Sequence, residues 1–190
     1  MKRVLLIGDS IRMSYQLEVC TALAGTTKVF APVENCRHST NVRECIAEWM
    51  NDFRPDIVHI NAGLHDLIRN RETRGYQFPV DVYARNIEAA VDVMRDAKVS
   101  VLWALTSPVN DAWNLKTHGY QMRSDADVKL YNDAASDVMK RLGVPVNDLY
   151  AVVLREGMEK MHTPDGVHFN EAGQKILGAA VSQKIKSVFG

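Results

Sequence analysis

Five short apolar runs recur along the chain at intervals long enough to hold a helix between each pair. They are RVLLIG (3–8), TKVFAP (27–32), DIVHIN (56–61), SVLWALT (100–106) and VPVND (144–148). Short runs this rich in Val, Ile and Leu and bounded by turn formers read as strands buried on both faces. The segments between them carry helical periodicity. Leu17, Cys20 and Ala24 mark the first helix. Val42, Ile46, Trp49 and Met50 mark the second, with Ser39 as the expected N-cap. Val82, Ile87, Ala90, Val91 and Met94 mark the third. Val128, Tyr131, Ala135, Val138, Met139 and Leu142 mark the fourth, and Gly143 stops it. Ile176, Leu177, Ala180, Val181, Ile185 and Val188 mark the last.

Parallel strands need crossover connections, and helices serve as crossovers. The alternation therefore predicts an α/β fold, a flavodoxin-like three-layer α/β/α sandwich with a five-stranded parallel sheet. Ligands in such folds gather at the carboxyl ends of the strands. Ser10, just after the first run, and the segment 61–66, just after the third, fall on that edge. Two longer segments, 67–78 and 109–125, read as irregular loops of the kind that shape a substrate site.

Composition narrows the function classes. The 190 residues, 46% of them hydrophobic, suit one domain spanning 1–190. The formal net charge is zero and no Lys/Arg run exceeds Lys2-Arg3, which argues against nucleic-acid and membrane-surface roles. No stretch approaches the ~18 apolar residues of a membrane helix, so no membrane insertion is expected. The apolar run at the amino end, Val4 to Ile7, is shorter than the roughly 7–15 residues of a signal-peptide core, and a cytoplasmic location is expected. Cys20, Cys36 and Cys45 form no C-x-x-C pair and read as free thiols, with Cys20 and Cys45 filling helix faces.

Two motifs carry chemistry. PDGVHFNEAG (164–173) places Asp165 three residues before His168 in a turn that leads into a helix. At that spacing the two side chains can touch. GDS (8–10) places Ser10 at the end of the first strand and the mouth of the next helix, where free N–H groups favour a developing oxyanion. A serine hydroxyl becomes a competent nucleophile when a neutral imidazole, oriented by a carboxylate, takes its proton. Taken singly, Ser10 could be an N-cap and Asp165–His168 a turn ion pair. His162, Asp165 and His168 also form H-x-x-D-x-x-H, ligand-type residues without a further convincing ligand nearby.

Together, GDS near the amino end and DGVHFNEAG near the carboxyl end resemble the first and last blocks of the SGNH hydrolases, also called GDSL esterases/lipases. The resemblance spans essentially the whole chain. It implies Ser10 as nucleophile, His168 as base, Asp165 as the residue that orients it, and ester hydrolysis through an acyl-enzyme with no metal or organic cofactor. The G-x-S-x-G elbow of α/β-hydrolases is not matched, since position 12 is Arg. Two middle blocks depart from the family. VENCRHST (33–40) puts Cys36 at the position of the usual Gly, whose N–H helps form the oxyanion hole. GLHD (63–66) puts His65 at the position of the usual Asn donor. The implied oxyanion hole is then the N–H groups of Ser10 and Cys36 with the His65 side chain. Asn61 could compensate as a donor, and Arg37 could meet a substrate carboxylate.

The implied substrate is a small-molecule ester with a short acyl group, acetyl foremost, carried on a carbohydrate. Trp113 and Tyr120 could line a sugar site, whereas Trp103 lies in a strand and reads as core. Alternatives are a catalytically impaired binding protein of the same fold, or a lysophospholipase or thioesterase of the same family. A homo-oligomer is compatible with the sequence.

Overall fold

In a computed structural model, which describes residues 1–189, the apolar runs become β1 (Lys2–Ile7), β2 (Thr27–Phe30), β3 (Ile57–Ile60), β4 (Ser100–Ala104) and β5 (Val146–Asn147). They form one parallel sheet in the order β2-β1-β3-β4-β5. This is a flavodoxin-like order, in keeping with the fold class expected from the sequence. β1 is an interior strand, flanked by β2 and β3, and its Val4, Leu5, Leu6 and Ile7 are fully buried between helical layers. Burial on both faces is why the strand reads as a continuous apolar run rather than an alternating one.

The helices are α1 (Ser10–Ala22), α2 (Ser39–Phe53), α3 (Val80–Asp96), α4 (Asp111–His118), α5 (Asp125–Leu142), α6 (Leu149–Glu156), α7 (Met158–Met161) and α8 (Glu171–Phe189). α1 packs with α8 on one face of the sheet, while α3 packs with α2 and α5 on the other. The chain leaves β1 toward β2 and later returns to β3 on the other side of β1, so the crossovers diverge between β1 and β3. In folds of this kind ligands bind at the carboxyl ends of the strands where the crossovers diverge, here β1 and β3, with Ile7 beside Ile60. Among the described residues, no helix is long and apolar enough to cross a membrane.

Three expectations need correction. The inner face of α1 is Ile11, Tyr15 and Val19, not Leu17, Cys20 and Ala24; Leu17 is 71% exposed, and Cys20 and Ala24 lie at the surface. Arg12 is fully buried on that inner face, which blurs the apolar contrast between the two sides. Ser39 does not cap α2. His38 does, its Nδ1 accepting the Asn41 N–H at 3.2 Å. Segment 109–125 is not wholly irregular: it contains α4, capped by the Asn110 side chain and ended by Gly119 at φ 71°. α3 and α5 bury the residues their periodicity marks, apart from the half-buried Val82 and Leu142.

Candidate active site

The serine is positioned by the sharp exit from β1. Gly8 is required there by close approach: a Cβ on it would lie 2.3 Å from Asn61 Oδ1 and 2.8 Å from the Arg12 Cβ. Asp9 caps α1, its Oδ1 accepting the Ile11 N–H at 2.9 Å. Ser10 is then the first residue of the helix, where backbone N–H groups have no intrahelical acceptor.

The acid and base come from the loop between α7 and α8. A bridge between His162 and Phe169, the Thr163 N–H to His168 O bond (2.8 Å) and the Asn170 N–H to Met161 O bond (2.8 Å) close this loop on itself. Gly166 sits at its tip with φ 73°, and a Cβ there would come within 2.6 Å of Asn110 O. Only glycine meets both demands. Asp165 Oδ1 accepts from three donors: the Val167 N–H (2.9 Å), the His168 N–H (3.0 Å) and the Thr163 hydroxyl (2.8 Å). Its Oδ2 is left for His168 Nδ1, at 2.5 Å. His168 Nε2 lies 2.8 Å from Ser10 Oγ, joining residues 158 positions apart in the chain.

The protons in this series follow from valence. A carboxylate only accepts, so Nδ1 carries the hydrogen, Nε2 presents its lone pair, and the Ser10 hydroxyl donates to it. Burial acts to raise the pKa of Asp165. The hydrogen bonds from the His168 ring, the Val167 and His168 N–H groups and Thr163 outweigh it and hold the carboxyl well below the usual range. The carboxylate therefore stays charged at neutral pH.

The other predicted residues are distributed unevenly. His162 makes no hydrogen bond to Asp165 or His168 among the described residues. Its ring stacks on Phe169 at 4.6 Å and its Nδ1 faces Met158 O. Cys36 is buried, and its N–H donates to Gly8 O at 3.2 Å, so that N–H is not free to meet an oxyanion in this arrangement. The left-handed backbone that suits glycine falls one residue later, at Arg37 (φ 54°). Arg37 itself is exposed. Asn61 packs its Oδ1 against Gly8 without a partner, and its amide nitrogen has no acceptor among the described residues. His65 is half-buried, and burial pulls its pKa below the ordinary histidine value. Asp9 opposes this, while Arg123, His38 and Arg37 reinforce it. A neutral imidazole retains one N–H donor.

Three contributors were not foreseen from the sequence. Asp9 is fully buried with Oδ2 unpartnered; burial raises its pKa, opposed first by the nearby His65. Arg12, fully buried, reaches Gly8 O at 3.4 and 3.3 Å through Nε and Nη2, and Glu34 O at 2.8 Å through Nη2. It ties loop 31–38 to the turn that carries Ser10. Arg123 lies in segment 109–125, which the sequence had marked as substrate-shaping, but nothing distinguishes it there from the chain's other 22 basic side chains.

Fold and sequence family together define a carboxylic-ester hydrolase built on a parallel flavodoxin-like sheet. Residues 16–176 match the GDSL-like lipase/acylhydrolase family, a span that contains Asp165 and His168, and the chain belongs to that family. A search of curated protein sequences gives no match. Among solved structures, a lipase/acylhydrolase from Enterococcus faecalis superposes with a TM-score of 0.77 at 21% identity, over 98% of this chain and 96% of that one. A carbohydrate acetylesterase from Sinorhizobium meliloti gives 0.78 at 14% identity, over 100% of both chains. An aryl esterase from M. smegmatis gives 0.77 at 16% identity, also over 100% of both. At these identities the likenesses speak for the fold.

Proposed function

We propose that the protein hydrolyses short-chain, foremost acetyl, esters by a Ser10–His168–Asp165 acyl-enzyme mechanism. The observation that carries this is the continuous series of contacts, 2.8 Å from Ser10 Oγ to His168 Nε2 and 2.5 Å from Nδ1 to Asp165 Oδ2. Ser10 Oγ adds to the ester carbonyl while its proton passes to Nε2. Asp165 stabilises the resulting imidazolium. Collapse of the tetrahedral intermediate expels the alcohol, which leaves with the proton from Nε2, and the acyl group stays on Ser10. Water then attacks, giving its proton to Nε2, and the acid departs as Ser10 regains its hydrogen.

The oxyanion is met by the Ser10 N–H, with the Asn61 amide and the His65 ring as side-chain donors. This assignment leaves Cys36 as a structural residue, because its N–H is held by Gly8 O. A carbohydrate as the alcohol portion draws support from the carbohydrate acetylesterase among the similar folds. Turnover of p-nitrophenyl acetate tests the reading. Ser10→Ala is expected to lower it by roughly 10⁴-fold or more. A fluorophosphonate probe is expected to label wild-type protein at Ser10. Equal turnover by wild type and Ser10→Ala would refute the mechanism.

A further inference from the structure

Arg123 is a buried cation beside the site, and no anion among the described residues lies at contact distance from it. Only 9% of it is exposed. Its backbone is held on both sides, the N–H donating to Asn114 Oδ1 (3.1 Å) and the carbonyl accepting from the Gln121 amide. Its Nε donates to Leu64 O at 2.8 Å, one residue before His65. That bond anchors the guanidinium at Nε, and its Nη1/Nη2 end has no acceptor among the described residues.

Two carboxylates influence Arg123 without neutralising it. Asp9 precedes the nucleophile and Asp165 orients the base, and no ion pair joins either to Arg123 among the described residues. The oxygens of Asp165 are already engaged by His168, Val167 and Thr163. Burial pulls the pKa of Arg123 down from its ordinary value, opposed first by Asp9. A buried guanidinium without a contact partner is unfavourable by itself. An anion arriving from outside would relieve that, and the planar two-nitrogen end of an arginine matches a carboxylate in bidentate geometry. Tyr120, close enough to influence Arg123, has two further cations over its ring: Arg71 and Arg74 lie 5.7 and 5.8 Å from its centroid.

We propose that Arg123, anchored through Nε to Leu64 O with its Nη end free, determines specificity by holding a carboxylate on the substrate. The preferred substrates are then short acyl esters whose alcohol portion is acidic, such as an acetylated uronic acid. The proposal rests on the esterase reading of Ser10, and two measurements separate its failure from that reading's failure.

The first measurement compares kcat/KM for 3- and 4-acetoxybenzoate with that for their methyl esters, in wild type and in Arg123→Gln. Intrinsic differences in ester reactivity cancel when the two proteins' charged-to-neutral ratios are compared. The ratio is expected to fall about 10- to 100-fold in the variant, the range of one hydrogen-bonded charge pair. An unchanged ratio, with both esters slowed alike, would overturn the proposal and make the developing oxyanion the group Arg123 serves. The second uses Ser10→Ala protein, which cannot consume the ligand, and measures binding of the same acids and methyl esters by calorimetry. Tighter binding of the acids, lost in Ser10→Ala/Arg123→Gln, supports the proposal even if no ester is turned over. Equal binding of acid and methyl ester overturns it. Failure of wild type to hydrolyse any of these esters counts against the esterase reading alone.

Discussion

Asp165→Asn should separate orientation of the base from integrity of the loop. Three donors converge on Oδ1 of Asp165: the Val167 N–H, the His168 N–H and the Thr163 hydroxyl. An asparagine must place its oxygen there, because its NH₂ group cannot accept those bonds. The NH₂ then occupies the Oδ2 position, 2.5 Å from His168 Nδ1, and donates to it. Nδ1 becomes an acceptor, so the ring hydrogen moves to Nε2, the atom facing Ser10 Oγ at 2.8 Å. In that tautomer the imidazole cannot take the serine proton, and a loss in kcat of about 10⁴-fold is expected. Stability should change little, since the three loop bonds survive and the exposed pair with His168 is worth about 1 kcal/mol or less. Asp165→Ala removes the acceptor of all three bonds and should lose about 3 kcal/mol, counting about 1 kcal/mol for each. The assays are p-nitrophenyl acetate turnover and chemical denaturation on both variants. Asp165→Asn retaining more than a tenth of the wild-type rate would refute the tautomer argument, as would equal destabilisation by the two substitutions.

Two other perturbations address the surroundings. His65→Ala should lower kcat about 10²-fold with little change in KM if the ring is an oxyanion donor; a change confined to the melting temperature would reassign it to structure. Asp66 is buried with both oxygens on Ser39, and burial raises its pKa from 3.8 to about 6 against the Ser39 hydrogen bonds. In the folded state it therefore holds a proton that the unfolded chain releases near pH 4. Its contribution is full below that pH and is lost as pH rises through about 6, a change of at most roughly 3 kcal/mol. Asp66→Asn should flatten that part of the stability curve, and urea titrations from pH 4 to 7 on both proteins read it directly. An identical slope in wild type and variant would show that Asp66 does not titrate in this window.

The sheet was legible in the sequence because a strand covered on both faces must be apolar at every position, as Val4 to Ile7 are. The inner face of α1 was not legible. Arg12 belongs to it because two backbone carbonyls, those of Gly8 and Glu34, receive its guanidinium, and carbonyl positions are set by the tertiary fold. α4 was passed over as loop because DAWNLKTH buries only Asn114, so the segment lacks an apolar stripe despite its Asn110 cap and terminal Gly119. The acid and base were visible because their relation is local, a carboxylate and an imidazole within one turn. The donors for an oxyanion are not a local matter. Which N–H is free depends on the surrounding hydrogen bonds, and at Cys36 that N–H is taken by Gly8 O.

The meeting of the two chain ends has its own physical cause. α1 starts at Ser10, and α8 starts three residues after His168. The two helices run side by side from the same edge of the sheet. Their contact is close at Gly178, where a Cβ would lie 2.3 Å from that of Glu18, and these residues stand at similar depths in α8 and α1. That approach levels the two helix starts and sets the loop before α8 over the start of α1. The 2.8 Å contact between Ser10 and His168 is therefore a consequence of helix packing as much as of the residues that make it.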